Sequence, residues 1–185
     1  LKNPKFPRQK TSAGTKIPTL REVFEMVRDS KEASAKTVKF NIEAKSFPGY
    51  PQAAPAPREY AKLIIDLVKE FGFEDRSNIQ SFDHRIIREA KSIDAKIPVA
   101  ALISSNFLNL PLVAQDLGAE IISPNQHWVV KESVDALRKI GVKTIPWTAN
   151  TKEEWERLVG LGVDAIITDD PQGLIDFLKA KGLRK

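Results

Sequence analysis

Short runs rich in β-branched residues alternate with longer amphipathic stretches from residue 38 onward, and this alternation restricts the fold more than any other feature of the chain. It is the pattern of βα units wound around a parallel sheet. Strands are expected over 38–44, 78–82, 99–103, 120–123, 143–147 and 164–168. The later runs, IIS and AIIT among them, are apolar on both parities. A strand reads that way when helices cover one sheet face and a barrel core fills the other.

The intervening segments carry start and stop signals. Thr19 with Glu22 and Thr151 with Glu154 read as capping boxes, in which a hydroxyl and a carboxylate satisfy orphan N–H groups at a helix start. Asp170 before Pro171 is an N-cap followed by a first-turn proline. Gly72, Gly118, Gly141, Gly162 and Gly182 each follow a periodic stretch and suit a left-handed helix stop. The prolines of residues 48–57 (PGYPQAAPAP) can continue neither element, so a loop is expected directly after the first strand.

A closed barrel of eight βα units takes about 250 residues, about 31 per unit. The 185 residues here correspond to about six units on that scale. The expected fold class is α/β: a (β/α)8 TIM-type barrel, present as an N-terminally truncated barrel of about six βα units. Residues 1–16 read as a basic, proline-containing tail, and 17–185 as the C-terminal part of a single barrel domain.

The net charge of +5 resides in that tail, where Lys2, Lys5, Arg8, Lys10 and Lys16 precede the first acid, Glu22. Beyond it, basic and acidic residues balance. A nucleic-acid binder spreads its basic residues over a folded face with aromatics between them, so no nucleic-acid partner is expected. No run of about 18 apolar residues occurs, and the N-terminus has no apolar core of a leader. Neither a membrane span nor a signal peptide is expected on this chain. The absence of cysteine leaves the redox compartment open.

In α/β barrels the reacting groups lie at the carboxyl ends of the strands. The first run, VKFNIEAKSF, sets Asn41, Glu43 and Lys45 on one parity and Phe40, Ile42 and Ala44 on the other. Glu43 and Lys45 form either a solvated ion pair on an edge strand or an oxygen ligand for a hard divalent cation beside a phosphate-holding ammonium. The second run ends IQSFD, with Gln80 and Phe82 on one parity; Ser81 has no nearby base to make it a nucleophile. His84 is expected as a solvated first-turn residue, and His127 could line the mouth. Two histidines without cysteine make a structural zinc site improbable. Trp147, in PWTAN, is either core or an apolar wall of the mouth with its indole N–H free for a ligand. Asp169 and Asp170 read as a paired-carboxylate site or, for Asp170, simply as a cap.

The segments IPTLREVFE (17–25), NIEAK (41–45), IQSFD (79–83), PWTAN (146–150) and GVDAIITDDP (162–171) resemble, in order and spacing, glycerophosphodiester phosphodiesterases. The resemblance covers residues 17–178. It implies a TIM-type barrel that hydrolyses glycerophosphodiesters such as glycerophosphocholine to glycerol 3-phosphate and an alcohol, with a divalent cation, Ca2+ or Mg2+. It further implies that Glu43 is a metal ligand, that Lys45 contacts the phosphate, and that Phe82 and Trp147 line the substrate pocket. The loop after Lys45 is similar to that of the longer, often periplasmic or secreted, bacterial members.

The family's general acid and base are two histidines, in HRG and HD segments with acidic metal ligands between them. This sequence has neither motif, and His84 and His127 match neither. The resemblance therefore implies the C-terminal two-thirds of an enzyme, inactive alone, whose missing N-terminal barrel part or a swapped partner would close the sheet. Three absent strands and six present overfill an eight-stranded barrel, so 99–103 or 120–123 is expected to be an extra segment instead of a stave. Two other readings stay open: a barrel phosphodiesterase acting on sphingolipid or phosphoinositide substrates, and a non-catalytic remnant used for binding or assembly.

Overall fold

The computed structural model describes residues 10, 12–106 and 108–184. Lys2, Lys5 and Arg8 of the expected basic tail lie outside the described residues. The chain divides into two compact units, residues 1–38 and 39–185.

In the first unit, α1 (Leu20–Asp29) starts with the expected capping box. Thr19 Oγ1 accepts from the Glu22 N–H at 3.2 Å, and Glu22 Oε2 accepts from the Thr19 N–H at 2.7 Å. The helix buries Phe24 and is followed by a 3-10 turn, Ala33–Lys36.

The second unit runs β1 (Phe40–Glu43), α2 (Pro57–Glu70), β2 (Ser77–Ser81), α3 (His84–Ile93), β3 (Val99–Ile103) and α4 (Leu110–Leu117). It continues with β4 (Ile121–Pro124), α5 (Lys131–Lys139), β5 (Lys143–Thr144), α6 (Lys152–Leu161) and α7 (Pro171–Ala180). The strands pair in sequence order β1-β2-β3-β4-β5, every pair parallel. Consecutive parallel staves, each reached through a helix, are the winding of a (β/α) barrel; a doubly wound sheet would reverse its strand order. Helix stops are as expected, with Gly118 at φ 62° and Gly162 at φ 78° ending α4 and α6.

The structure corrects the strand count. Neither 99–103 nor 120–123 is an extra segment: β3 and β4 are central, and every residue of each is buried. The irregular stave is the last, 164–168. Its backbone still lies along β5, with the Asp164 N–H donating to Thr144 O at 3.0 Å, Ile167 N–H to Pro146 O at 2.9 Å and Ala149 N–H to Ile167 O at 3.0 Å. The Ile145 and Trp147 N–H groups turn to β4, so the donors left for the last stave are those of residues 144 and 146. Thr144 N–H is taken by Asp164 Oδ2 at 2.8 Å, and Pro146 has none. A regular ladder cannot form from that supply.

Both parities of β2, β3 and β4 are largely buried. Ile79, Val99, Ala101 and Ile122 are at 0% exposure and Ala100, Leu102 and Ser123 at 1–4%, which decides for a two-sided core. A second cluster joins Val129, Val134 and Ala149 to Trp155 and Leu158 of α6 and Leu174 and Phe177 of α7. There the Trp155 indole N–H donates to Ala149 O at 2.7 Å, and the Trp155 and Phe177 rings lie 5.8 Å apart. Among the described residues no helix is long and apolar enough to cross a membrane.

Candidate active site

Strand register gathers the mouth residues. Asn41 pairs with Asn78 and Glu43 with Gln80, so these side chains share a sheet face. Phe40, on the opposite parity, stacks at 5.1 Å on Phe73, which follows α2. The Glu43 face is therefore the one turned from the helical layer. Carried across β3 and β4, the same face holds Leu102 and Ser123, and across the Asn125–Trp147 bridge it holds Trp147.

Glu43 and Lys45 come together: Lys45 Nζ stands 3.4 Å from Glu43 Oε1, with the lysine side chain 61% exposed and the glutamate 30%. At that length the contact is an ion pair without a well-formed hydrogen bond. Glu43 Oε1 is itself buried and accepts no hydrogen bond among the described residues. Phe82 and Trp147 also come together, edge to face, with ring centroids 5.2 Å apart and planes at 87°. The Trp147 indole N–H is not free, however. It donates to Ser123 O at 2.8 Å, because the β4 carbonyl at the strand end needs a donor where the ladder gives out. Trp147 can offer a ligand its ring but not its N–H.

The residues flanking Lys45 are clamped to those flanking Phe82. Ser81 Oγ donates to Ala44 O at 2.6 Å and accepts from the Asp83 N–H at 3.0 Å. Ser46 Oγ donates to Asp83 Oδ2 at 2.6 Å. Asp83, with a side chain only 3% exposed, also caps α3 and takes a two-pronged hydrogen bond from Arg85, at 2.9 and 2.7 Å. The Arg85 guanidinium, with help from the Ser46 hydroxyl and the Arg85 N–H, holds the Asp83 carboxyl down at about 2. Sequence reasoning missed this clamp; its one signal was that Ser81 and Asp83 bracket Phe82 in IQSFD.

Other candidates resolve differently. His84 opens α3 but is half-buried, and its Nε2 donates to Leu102 O at 3.0 Å, so it is not simply solvated. His127 is exposed, 3.3 Å from Gln126 Nε2. Asp169 and Asp170 do not act as a pair: Asp169 Oδ2 accepts from Asn150 Nδ2 at 2.8 Å, while Asp170 Oδ1 caps α7 through Gly173 N–H at 3.1 Å.

The donor set tests the expected cation. Among the described residues no group of three His, Cys, Asp or Glu side chains is arranged to hold a metal. Glu43 nonetheless presents a buried carboxylate oxygen that accepts no hydrogen bond among the described residues, at the position paired with Gln80, whose Oε1 is buried and accepts none either. Oxygen donors of this kind suit Ca2+ or Mg2+. The residues fit such an ion as a partial ligand set.

The family model for the glycerophosphoryl diester phosphodiesterase family matches residues 2–173. Among curated relatives, a glycerophosphodiester phosphodiesterase of Caldanaerobacter subterraneus subsp. tengcongensis is 34% identical over 174 residues, covering 92% of this chain and 65% of that protein. A solved structure from Silicibacter pomeroyi superposes with a TM-score of 0.86 at 24% identity, over 97% of this chain and 62% of that one. An Oleispira antarctica phosphodiesterase, solved in complex with the product sn-glycerol-3-phosphate, gives a TM-score of 0.73 at 20% identity, over 88% of this chain and 61% of that one. These structures carry the fold. The chain thus spans under two-thirds of the length of the curated relatives it matches.

Proposed function

The chain belongs to the glycerophosphoryl diester phosphodiesterase family, and on that premise we propose that it forms the phosphate-binding and alcohol-binding side of an enzyme hydrolysing glycerophosphodiesters to glycerol 3-phosphate and an alcohol. One observation carries the reading. The Glu43–Lys45 ion pair and the Phe82–Trp147 aromatic pair both lie at the carboxyl ends of strands on one sheet face, which is where barrel enzymes act.

In this reading Lys45 gives its exposed ammonium to a phosphoryl oxygen. Glu43 supplies an anionic oxygen to a divalent cation, Ca2+ or Mg2+. When bound, that cation supplies Lewis-acid stabilisation of charge on the phosphoryl group. Phe82 and Trp147 wall the organic part of the substrate and exclude water, while the Ser81–Asp83 clamp keeps the Lys45 backbone in register with Phe82. In this reading neither histidine of this chain carries the proton: His84 Nε2 is engaged with Leu102 O, and His127 lies in neither family motif. Loss of a general acid or base typically costs about 10²- to 10⁴-fold each.

The test is choline release from glycerophosphocholine with added Ca2+ or Mg2+, alongside binding of glycerol 3-phosphate. The reading expects no release above blank by the 185-residue chain while product binding persists. Turnover by this chain would overturn the assignment of proton transfer to residues outside it, and absence of product binding would overturn the site.

A further inference from the structure

We propose that Gln80 is a neutral oxygen ligand of the same cation as Glu43; the inference rests on the cation assigned to Glu43 above. Gln80 is 7% exposed, and its Oε1 has no hydrogen-bond partner among the described residues. A buried acceptor with no donor is costly and calls for an occupant. Its register partner on β1 is Glu43, which has an orphaned Oε1 of its own. Its register partner on the other side is Ala100 of β3, whose side chain carries no donor. The Lys45 ammonium stands at 3.4 Å from Glu43 Oε1 and is mostly in solvent, so it neutralises Glu43 only weakly.

Two buried acceptors, neither taking a hydrogen bond among the described residues, thus stand at paired positions on neighbouring strands. A hard divalent cation meets that demand, because Ca2+ and Mg2+ accept a carboxylate and a side-chain amide carbonyl in one sphere. An amide also avoids the like-charge repulsion that a second carboxylate would bring before the cation arrives.

Calorimetric titration of the full chain with CaCl2 and with MgCl2 tests the assignment on wild type, Gln80→Leu, Gln80→Glu and Glu43→Gln. Gln80→Leu keeps the side-chain volume and removes an unsatisfied buried acceptor, so it should fold with an unchanged or higher melting temperature. It should lose about tenfold or more in cation affinity, whereas Gln80→Glu should keep or tighten binding. Wild-type affinity in Gln80→Leu with loss in Glu43→Gln would overturn the role of Gln80 alone. Wild-type affinity in both, or no uptake by the wild type, would overturn the cation at Glu43 as well. If Gln80→Leu instead lowers affinity for glycerol with cation affinity intact, Oε1 accepts from a substrate hydroxyl and the ligand assignment is wrong.

Discussion

The Phe82 and Trp147 rings meet edge to face at 5.2 Å, joining the carboxyl ends of β2 and β5 across the two strands between them. The contact ties together residues far apart in sequence. Trp147 stands there with its N–H engaged to Ser123 O.

A double-mutant cycle on Phe82→Ala and Trp147→Ala should give a coupling of about 0.5–1.5 kcal/mol in urea unfolding. Trp147→Phe keeps a ring but loses the bond to Ser123 O, and should cost about 1 kcal/mol. A coupling of zero would mean that the rings are neighbours without interacting.

Asp83 makes stability depend on acid pH. Its carboxyl titrates at about 2 in the folded chain against an ordinary 3.8, a depressed value. The stabilisation is therefore fully present above pH 4 and is lost as pH falls towards 2, by about 2 kcal/mol in all. Asp83→Asn should be less stable at neutral pH and should flatten that part of the stability profile. The two profiles, compared by chemical unfolding between pH 2 and 6, check this.

Lys45→Ala separates binding from folding. The side chain is 61% exposed, so unfolding free energy should move by no more than about 0.5 kcal/mol. Affinity for glycerol 3-phosphate should fall by about tenfold, the order expected when a charge-assisted hydrogen bond is removed.

Thr151→Ala should cost about 1 kcal/mol as a lost N-cap. Glu154→Ala should cost more, because Glu154 accepts from the Asn150 and Thr151 N–H groups and from Gln126 Nε2 at 2.7, 3.1 and 2.9 Å. These bonds, the Asn150 N–H foremost, hold its carboxyl below the ordinary 4.5, so this contribution should fade as pH drops through the acid range. Thermal melts of the two variants give the order.

The βα alternation, both capping boxes and the Gly118 and Gly162 stops were legible because each depends on residues within one turn of one another. The irregular last stave was not. Its cause is the diversion of Thr144 N–H to Asp164 together with the missing N–H of Pro146, a contest between neighbouring strands that no local pattern displays. The site divides in the same way. Parity alone set Glu43 with Lys45 and Gln80 with Phe82, but register was needed to bring Glu43 beside Gln80. The engagement of the Trp147 indole and the clamp from Ser81 and Asp83 to Ala44 and Ser46 needed the fold itself.

The most direct test of the account is an amide-shift titration of the isotopically labelled chain with glycerol 3-phosphate in the presence of Ca2+ or Mg2+. The account predicts that the largest shifts fall on residues 43–46, 80–83 and 147, with the set at 43–46 lost in Lys45→Ala. Shifts gathered instead at the groove of about 370 Å³ between α4 and α5, lined by Leu108, Trp128 and Val130, or no shifts at all, would contradict it.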